Sequence, residues 1–213
     1  MTHPTRIGLL GGSFNPAHRG HRLISLFALE ALGLDEVWWL VSPGNPLKDA
    51  AKDMAPLPVR LRSARAMARR ARIRATTIER TLGTRFTVDT LAALQRRYPK
   101  RQFIWLMGSD NLAQFHRWKN WRRIAQTMPI AVLARPSYEG PARASRAYAT
   151  LRSRVLPQGR SHDWTQWRPP ALVLLRFRPD STSATALRRA HPDWFRAYSP
   201  APLRDPVTHR MTD

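Results

Sequence analysis

Apolar positions follow two alternating rhythms along this chain. Short apolar-rich runs occupy residues 6–10, 37–41, 73–79, 102–107, 130–134 and 172–177. Runs without strict polar alternation suit strands covered on both faces. Between them the spacing becomes helical. Leu23, Ile24, Phe27, Ala28 and Ala31 share one face of a helix predicted over 19–32. Val88, Leu91, Ala92 and Leu94 do the same over 87–98. Further helices are predicted over 59–71, 111–126, 141–154 and 183–190. This alternation predicts an α/β fold: a Rossmann-like, doubly wound parallel sheet of about six strands with flanking helices.

The remaining segments break both rhythms. Residues 42–58 hold four prolines and a glycine and read as a long loop. Residues 157–170 read as an irregular surface excursion, and residues 191–213 as a Pro-rich, loosely packed tail after a 1–190 domain. In doubly wound sheets the ligand lies beyond the carboxyl ends of the strands. The polar clusters of this chain follow the first, second, fourth and sixth predicted strands, which points to one site.

The densest cluster is Gly11-Gly12-Ser13-Phe14-Asn15-Pro16-Ala17-His18-Arg19-Gly20-His21. The two adjacent glycines allow a tight turn and close approach to a ligand. The helix start beyond them offers free N–H groups to an anion. His18 and His21 are one helical turn apart and can face the same phosphate. Gly20 leaves a bare surface on which an adenine or ribose could lie. The spacing matches neither a dinucleotide-binding GxGxxG turn nor a P-loop. Two histidines without a third ligand do not make a zinc site, so no protein metal site is expected. A second cluster, Ser183-x-Thr185-x-x-Arg188, places hydroxyls at a helix start and a forked guanidinium one turn in.

Composition narrows the picture. With 213 residues, 43% of them hydrophobic, the chain can bury a core, and without cysteine it has neither disulfides nor thiolate metal ligands. No apolar run is long enough for a membrane span, and the first residues are too short and polar for a secretory signal. A soluble cytoplasmic protein is expected. The net charge of +22 raises a nucleic-acid-binding alternative. The basic residues are spread along the chain, however, and only four of the 36 are lysine. The same positive field favours anionic nucleotides, and nucleic acid is not expected as the main partner.

The first cluster resembles the signature of the HxGH nucleotidyltransferase superfamily, and Ser183-x-Thr185-x-x-Arg188 resembles its late Ser/Thr turn. Within it, the chain resembles the bacterial nicotinate mononucleotide adenylyltransferases from about Ile7 to Arg188. Ser42-Pro43-Gly44-Asn45-Pro46-Leu47-Lys48, Ile78-Glu79-Arg80 through Arg85-Phe86-Thr87-Val88-Asp89-Thr90-Leu91, Leu106-Met107-Gly108-Ser109-Asp110-Asn111-Leu112, the aromatic Phe115, Trp118 and Trp121, and Arg135-Pro136 carry that resemblance. Phe86 stands where the family usually has tyrosine.

The resemblance implies transfer of AMP from ATP, supplied with Mg²⁺, to nicotinate mononucleotide. His18, His21 and Arg188 would be catalytic. Gly11, Gly12, Ser13, Phe14, Gly20, Gly108, Asp110, Ser183 and Thr185 would border ATP. Asn45, Lys48, Thr84, Arg85, Phe86, Thr87, Trp118 and Arg135 would form the acceptor pocket, with Trp118 stacking on the pyridine and main-chain amides near 84–87 meeting its carboxylate. From the residues alone, Trp118 can equally pack in the core, Asp110 can cap a helix, and Arg135 can be a surface arginine. Sister enzymes acting on nicotinamide mononucleotide or pantetheine phosphate are the nearest alternatives, and homo-oligomerisation is left open.

Overall fold

A computed structural model describes residues 4–44, 54–134, 137–176, 180 and 182–212. Its frame is a sheet of seven strands: β1 (Thr5–Gly12), β2 (Glu36–Val41), β3 (Ile73–Thr76), β4 (Arg101–Gly108), β5 (Ile130–Leu133), β6 (Val155–Leu156) and β7 (Leu172–Leu175). The order is β3-β2-β1-β4-β5-β7-β6, and each pairing is parallel. The order therefore reverses at β1, between β2 and β4, which opens a crevice at the carboxyl ends of β1 and β4.

Helices α1 (Arg19–Ala31), α2 (Leu57–Ala68), α3 (Ile78–Leu82), α4 (Thr87–Arg97), α5 (Ser109–Gln114), α6 (Trp121–Thr127), α7 (Glu139–Arg143), α8 (Arg146–Leu151) and α9 (Ala184–Ala190) accompany the sheet. Successive strand residues point to opposite faces. Leu10, Trp39, Ile104 and Leu106 pack in one layer with Ile24, Ala28 and Leu61. Leu9, Trp38, Trp105 and Met107 pack in the other with Leu91, Phe115 and Ile124. Two buried faces explain why these strands read as apolar runs.

Several boundaries differ from expectation. The third strand ends at Thr76, and α3 follows where strand was expected. The helix expected over 111–126 is broken: a 3-10 turn spans Phe115–Arg117, and Asn120 takes a left-handed φ of 50° before α6. Phe115 contacts both Trp118 and Trp121, at 5.4 and 5.7 Å between ring centroids, so aromatic packing overrides a continuous helical path. The helix expected over 141–154 divides into α7 and α8 at Ser145, whose side chain accepts from Tyr148 N. A two-residue strand, β6, extends the sheet beyond the six strands expected.

The segment read as a surface excursion and the one read as a loose tail are both anchored. Residues 158–166 form a 3-10 stretch whose Ser161 Oγ donates to Ala31 O at 2.6 Å and whose buried Trp164 donates to Leu32 O at 2.9 Å. The C-terminal segment is not loosely packed either. Arg62 on α2 donates to the carbonyls of Ser199 and Ala201 at 3.0 Å each, and Leu203, Asp205 and Thr212 are buried. Both anchors are single polar side chains meeting distant carbonyls, which no periodicity announces. Among the described residues, no helix is long and apolar enough to cross a membrane.

Candidate active site

The glycine pair lies inside β1 rather than in a turn: Gly11 and Gly12 pair with Leu40 and Val41. A Cβ on Gly11 would stand 2.7 Å from the Trp105 ring, so this position is glycine because an indole crosses it. The chain turns at Ser13–Ala17. Phe14 adopts φ 47°, uncommon for a non-glycine residue. Its ring is buried and stacks on Trp39 with centroids 5.1 Å apart.

His18 precedes α1 and is 3% exposed. Its main-chain N–H donates to His21 Nδ1 at 3.2 Å, and the two imidazoles lie 3.8 Å apart between centroids. Because Nδ1 of His21 accepts, a neutral His21 carries its proton on Nε2. Ser25 fixes this turn from below: it accepts from Trp39 Nε1 at 2.7 Å and donates to His21 O at 2.9 Å. The Cβ position of Gly20 faces the His18 ring at 3.0 Å and the Thr182 carbonyl at 3.4 Å. That space is thus filled by protein, rather than being the bare surface expected for an adenine or ribose.

The two motifs, far apart in sequence, meet here. Arg188 Nη1 donates to Asn15 O at 2.7 Å, directly before the His18 turn, and Nη2 lies 3.5 Å from Thr185 Oγ1. Ser183 caps α9, accepting from Ala186 N at 3.1 Å. Asp180 lies 3.7 Å from Arg19. The side-chain and main-chain bonds of Thr182, more than the charges of Arg19 and His18, hold the Asp180 carboxyl below the usual carboxylate range. Across the crevice, Gly108 ends β4 and Asp110 sits in the first turn of α5. A carboxylate there is favoured by the helix dipole. The position before the helix belongs to Gly108, so Asp110 is not its cap.

Thr84–Phe86, expected to line the acceptor pocket, connect α3 to α4, which begins at Thr87. Thr84 N donates to Glu79 O at 2.9 Å, and its hydroxyl lies 2.9 Å from that of Thr90, which donates to Glu79 Oε1 at 3.2 Å. Burial pushes the Glu79 carboxyl up to about 7, against bonds from Thr90 and Ser42. Lys119 Nζ sits 4.1 Å over the Phe86 ring, so the loop after Trp118 adjoins the 84–87 segment. Arg85 lies 5.8 Å from the same ring. Trp118 is half-buried, packs edge-on against Phe115 and Trp105, and turns its Nε1 inward. Asn45, Lys48 and Arg135 lie outside the described residues.

Arg60 joins the two sides. This side chain is 1% exposed and donates to the carbonyls of Ala55 (2.8 Å), Ser13 (2.8 Å), Ser42 (2.7 Å) and Pro43 (3.4 Å). Burial lowers its guanidinium to about 10, still a cation at neutral pH. It fastens the loop after β1 to the strand end after β2. Sequence reasoning missed Arg60, Ser25 and Lys119, and gave Glu79 no role of its own. One arginine among many carries no signal, and Glu79 reads as the end of a strand.

Residues 9–190 match the cytidylyltransferase-like family model. A probable nicotinate-nucleotide adenylyltransferase of Erythrobacter litoralis is 62% identical over 210 residues, covering 99% of this chain and 95% of the relative. The chain belongs to the nicotinate-nucleotide adenylyltransferase family. A member from Cereibacter sphaeroides is 51% identical over 190 residues, covering 85% of this chain and 96% of that one. The fold is also that of a solved structure, Plasmodium falciparum nicotinic acid mononucleotide adenylyltransferase complexed with NaAD. The TM-score is 0.62 at 14% identity, covering 87% of this chain and 83% of that one.

Proposed function

We propose that this protein transfers AMP from ATP to nicotinate mononucleotide, giving nicotinate adenine dinucleotide and pyrophosphate. An oxygen of the mononucleotide phosphate forms a bond to the α-phosphorus of ATP. The bond from that phosphorus to the bridging oxygen breaks, and pyrophosphate leaves with the electron pair. Catalysis is then positioning and charge stabilisation. His18, His21 and Arg188 neutralise charge growing on the α-phosphate and the leaving group, and Arg188 offers a forked donor. Ser13, Ser183 and Thr185 border the triphosphate, and Gly108 and Asp110 border the adenosine. Thr84–Thr87, with Trp118, receive the pyridine and its carboxylate, joined by Asn45, Lys48 and Arg135. Mg²⁺ belongs to the substrate, entering as MgATP and held by phosphate oxygens and water.

The observation that carries this reading is the bond from Arg188 to Asn15 O, 173 positions apart, which joins the late Ser/Thr/Arg turn to the two-histidine helix start. The names of the relatives support the same acceptor. The test is pyrophosphate release from MgATP with nicotinate mononucleotide, nicotinamide mononucleotide or pantetheine phosphate. The nicotinate compound should have the highest kcat/KM. Equal or higher kcat/KM with another acceptor, or no release at all, overturns the reading.

A further inference from the structure

We propose that Asp205, beyond the end of the family match at residue 190, is a positioning residue that braces the acceptor side of the site through Thr76 and Thr77. The inference rests on the acceptor assignment proposed above.

The Asp205 side chain is 1% exposed. Its carboxylate accepts from Thr76 Oγ1 at 2.9 Å on each oxygen. It also accepts from Thr77 N at 2.6 Å and Thr77 Oγ1 at 3.1 Å. Its own segment adds Val207 N at 2.8 Å and Thr208 N at 3.0 Å. Three donor groups from residues 76–77 and two from 207–208 therefore converge on one buried carboxylate. Charge-assisted bonds of this kind are about twice as strong as neutral ones.

The place of the brace gives it meaning. Thr76 ends β3 on the ligand-facing edge of the sheet. From Thr77 a series of short bonds leads to the acceptor segment: Arg80 N to Thr77 O at 2.9 Å, Gly83 N to Arg80 O at 3.1 Å, and Thr84 N to Glu79 O at 2.9 Å. Thr84 and Thr90 then lock together through their hydroxyls at 2.9 Å. The phosphate side is held by separate bonds, Arg188 on Asn15 and His18 on His21.

The brace itself is fixed to the body of the protein. Asp205 N donates to Arg210 O at 2.8 Å, and Thr212 N to Leu203 O at 2.9 Å, closing a small loop. Arg65 on α2 donates to Arg204 O at 3.2 Å. Residues 76–77 are thus positioned by a C-terminal segment that α2 holds through Arg62 and Arg65.

The test compares the full-length parent with Asp205→Ala and Asp205→Asn. It measures KM for each substrate by pyrophosphate release, nicotinate mononucleotide binding by calorimetry, and Tm. D205A should raise the acceptor KM and Kd about tenfold while the ATP KM stays within about twofold, because misplacement of positioning groups is costly and local. D205N, keeping the shape and one carbonyl acceptor, should give a smaller rise of the same kind. It decides the matter where D205A yields no folded protein. Folded variants with a lowered Tm and both KM values unchanged, or both raised together, overturn the bracing role and leave the proposed function standing. A parent that neither binds nor turns over nicotinate mononucleotide overturns both.

Discussion

Replacing Gly20 by alanine tests how tightly the two-histidine turn is built. The new Cβ would stand 3.0 Å from Cε1 and Nδ1 of His18 and 3.4 Å from the Thr182 carbonyl. The His18 ring has little room to yield: it is 3% exposed, and the His21 ring lies 3.8 Å away between centroids. Two effects oppose each other. Alanine favours helical backbone over glycine by about 0.5–1 kcal/mol. Overpacking a tight site costs about 1–3 kcal/mol. Overpacking wins, leaving a net loss of about 1 kcal/mol and a Tm lowered by about 2–4 °C for a domain of this size. The catalytic effect is larger. A misplacement of 1 Å can cost about 100-fold, so a shift of a few tenths of an ångström should lower kcat/KM about tenfold. The assay is pyrophosphate release beside a thermal melt, with Gly140→Ala as control, because a Cβ there meets nothing within 4 Å. G20A protein with kcat/KM within twofold of the parent would refute the packing argument.

His21→Ala should lower kcat about 100- to 1000-fold, the scale of losing one preorganised donor. Its Tm should stay within a few degrees, and unchanged turnover removes His21 from the mechanism. Trp118→Ala should raise the KM for nicotinate mononucleotide more than that for ATP, and equal changes would make Trp118 a packing residue only. For Glu79 the sign follows from linkage. Its carboxyl is raised in the folded protein from 4.5 to about 7. The folded state holds the proton more tightly, so this contribution is fully present below the unfolded value and is lost as pH rises through about 7. The shift corresponds to about 3 kcal/mol. Glu79→Gln, neutral throughout, should gain about that much on the parent between about pH 4 and pH 8 in urea unfolding. A difference independent of pH would show that Glu79 titrates normally.

Much of the candidate site could be read from residue types and their spacing. His18, Gly20 and His21 lie within one helical turn, so their proximity follows from local geometry. The Ser183 cap is equally local. The glycines show where such reading stops. Gly11 was expected to serve a turn, but it lies in β1 under the Trp105 ring, and only strand pairing brings that ring there. Likewise the expected 111–126 helix breaks because Phe115 gathers Trp118 and Trp121. The C-terminal segment read as loose because its anchors, Leu203 and Asp205, have no periodic neighbours.

The amino-acid order determined the alternation of strands and helices, the two-histidine helix start and the late hydroxyl–arginine turn. Each depends on contacts within a few residues or on burial of one face, and both leave a periodic or clustered trace. Only the tertiary structure decided that Arg188 rests on Asn15, that Arg60 ties Ser13 to Ser42, and that Asp205 seizes Thr76 and Thr77. These contacts join single polar groups across long separations. Any of many arginines or aspartates could have made them, and only the packed sheet selects which one does.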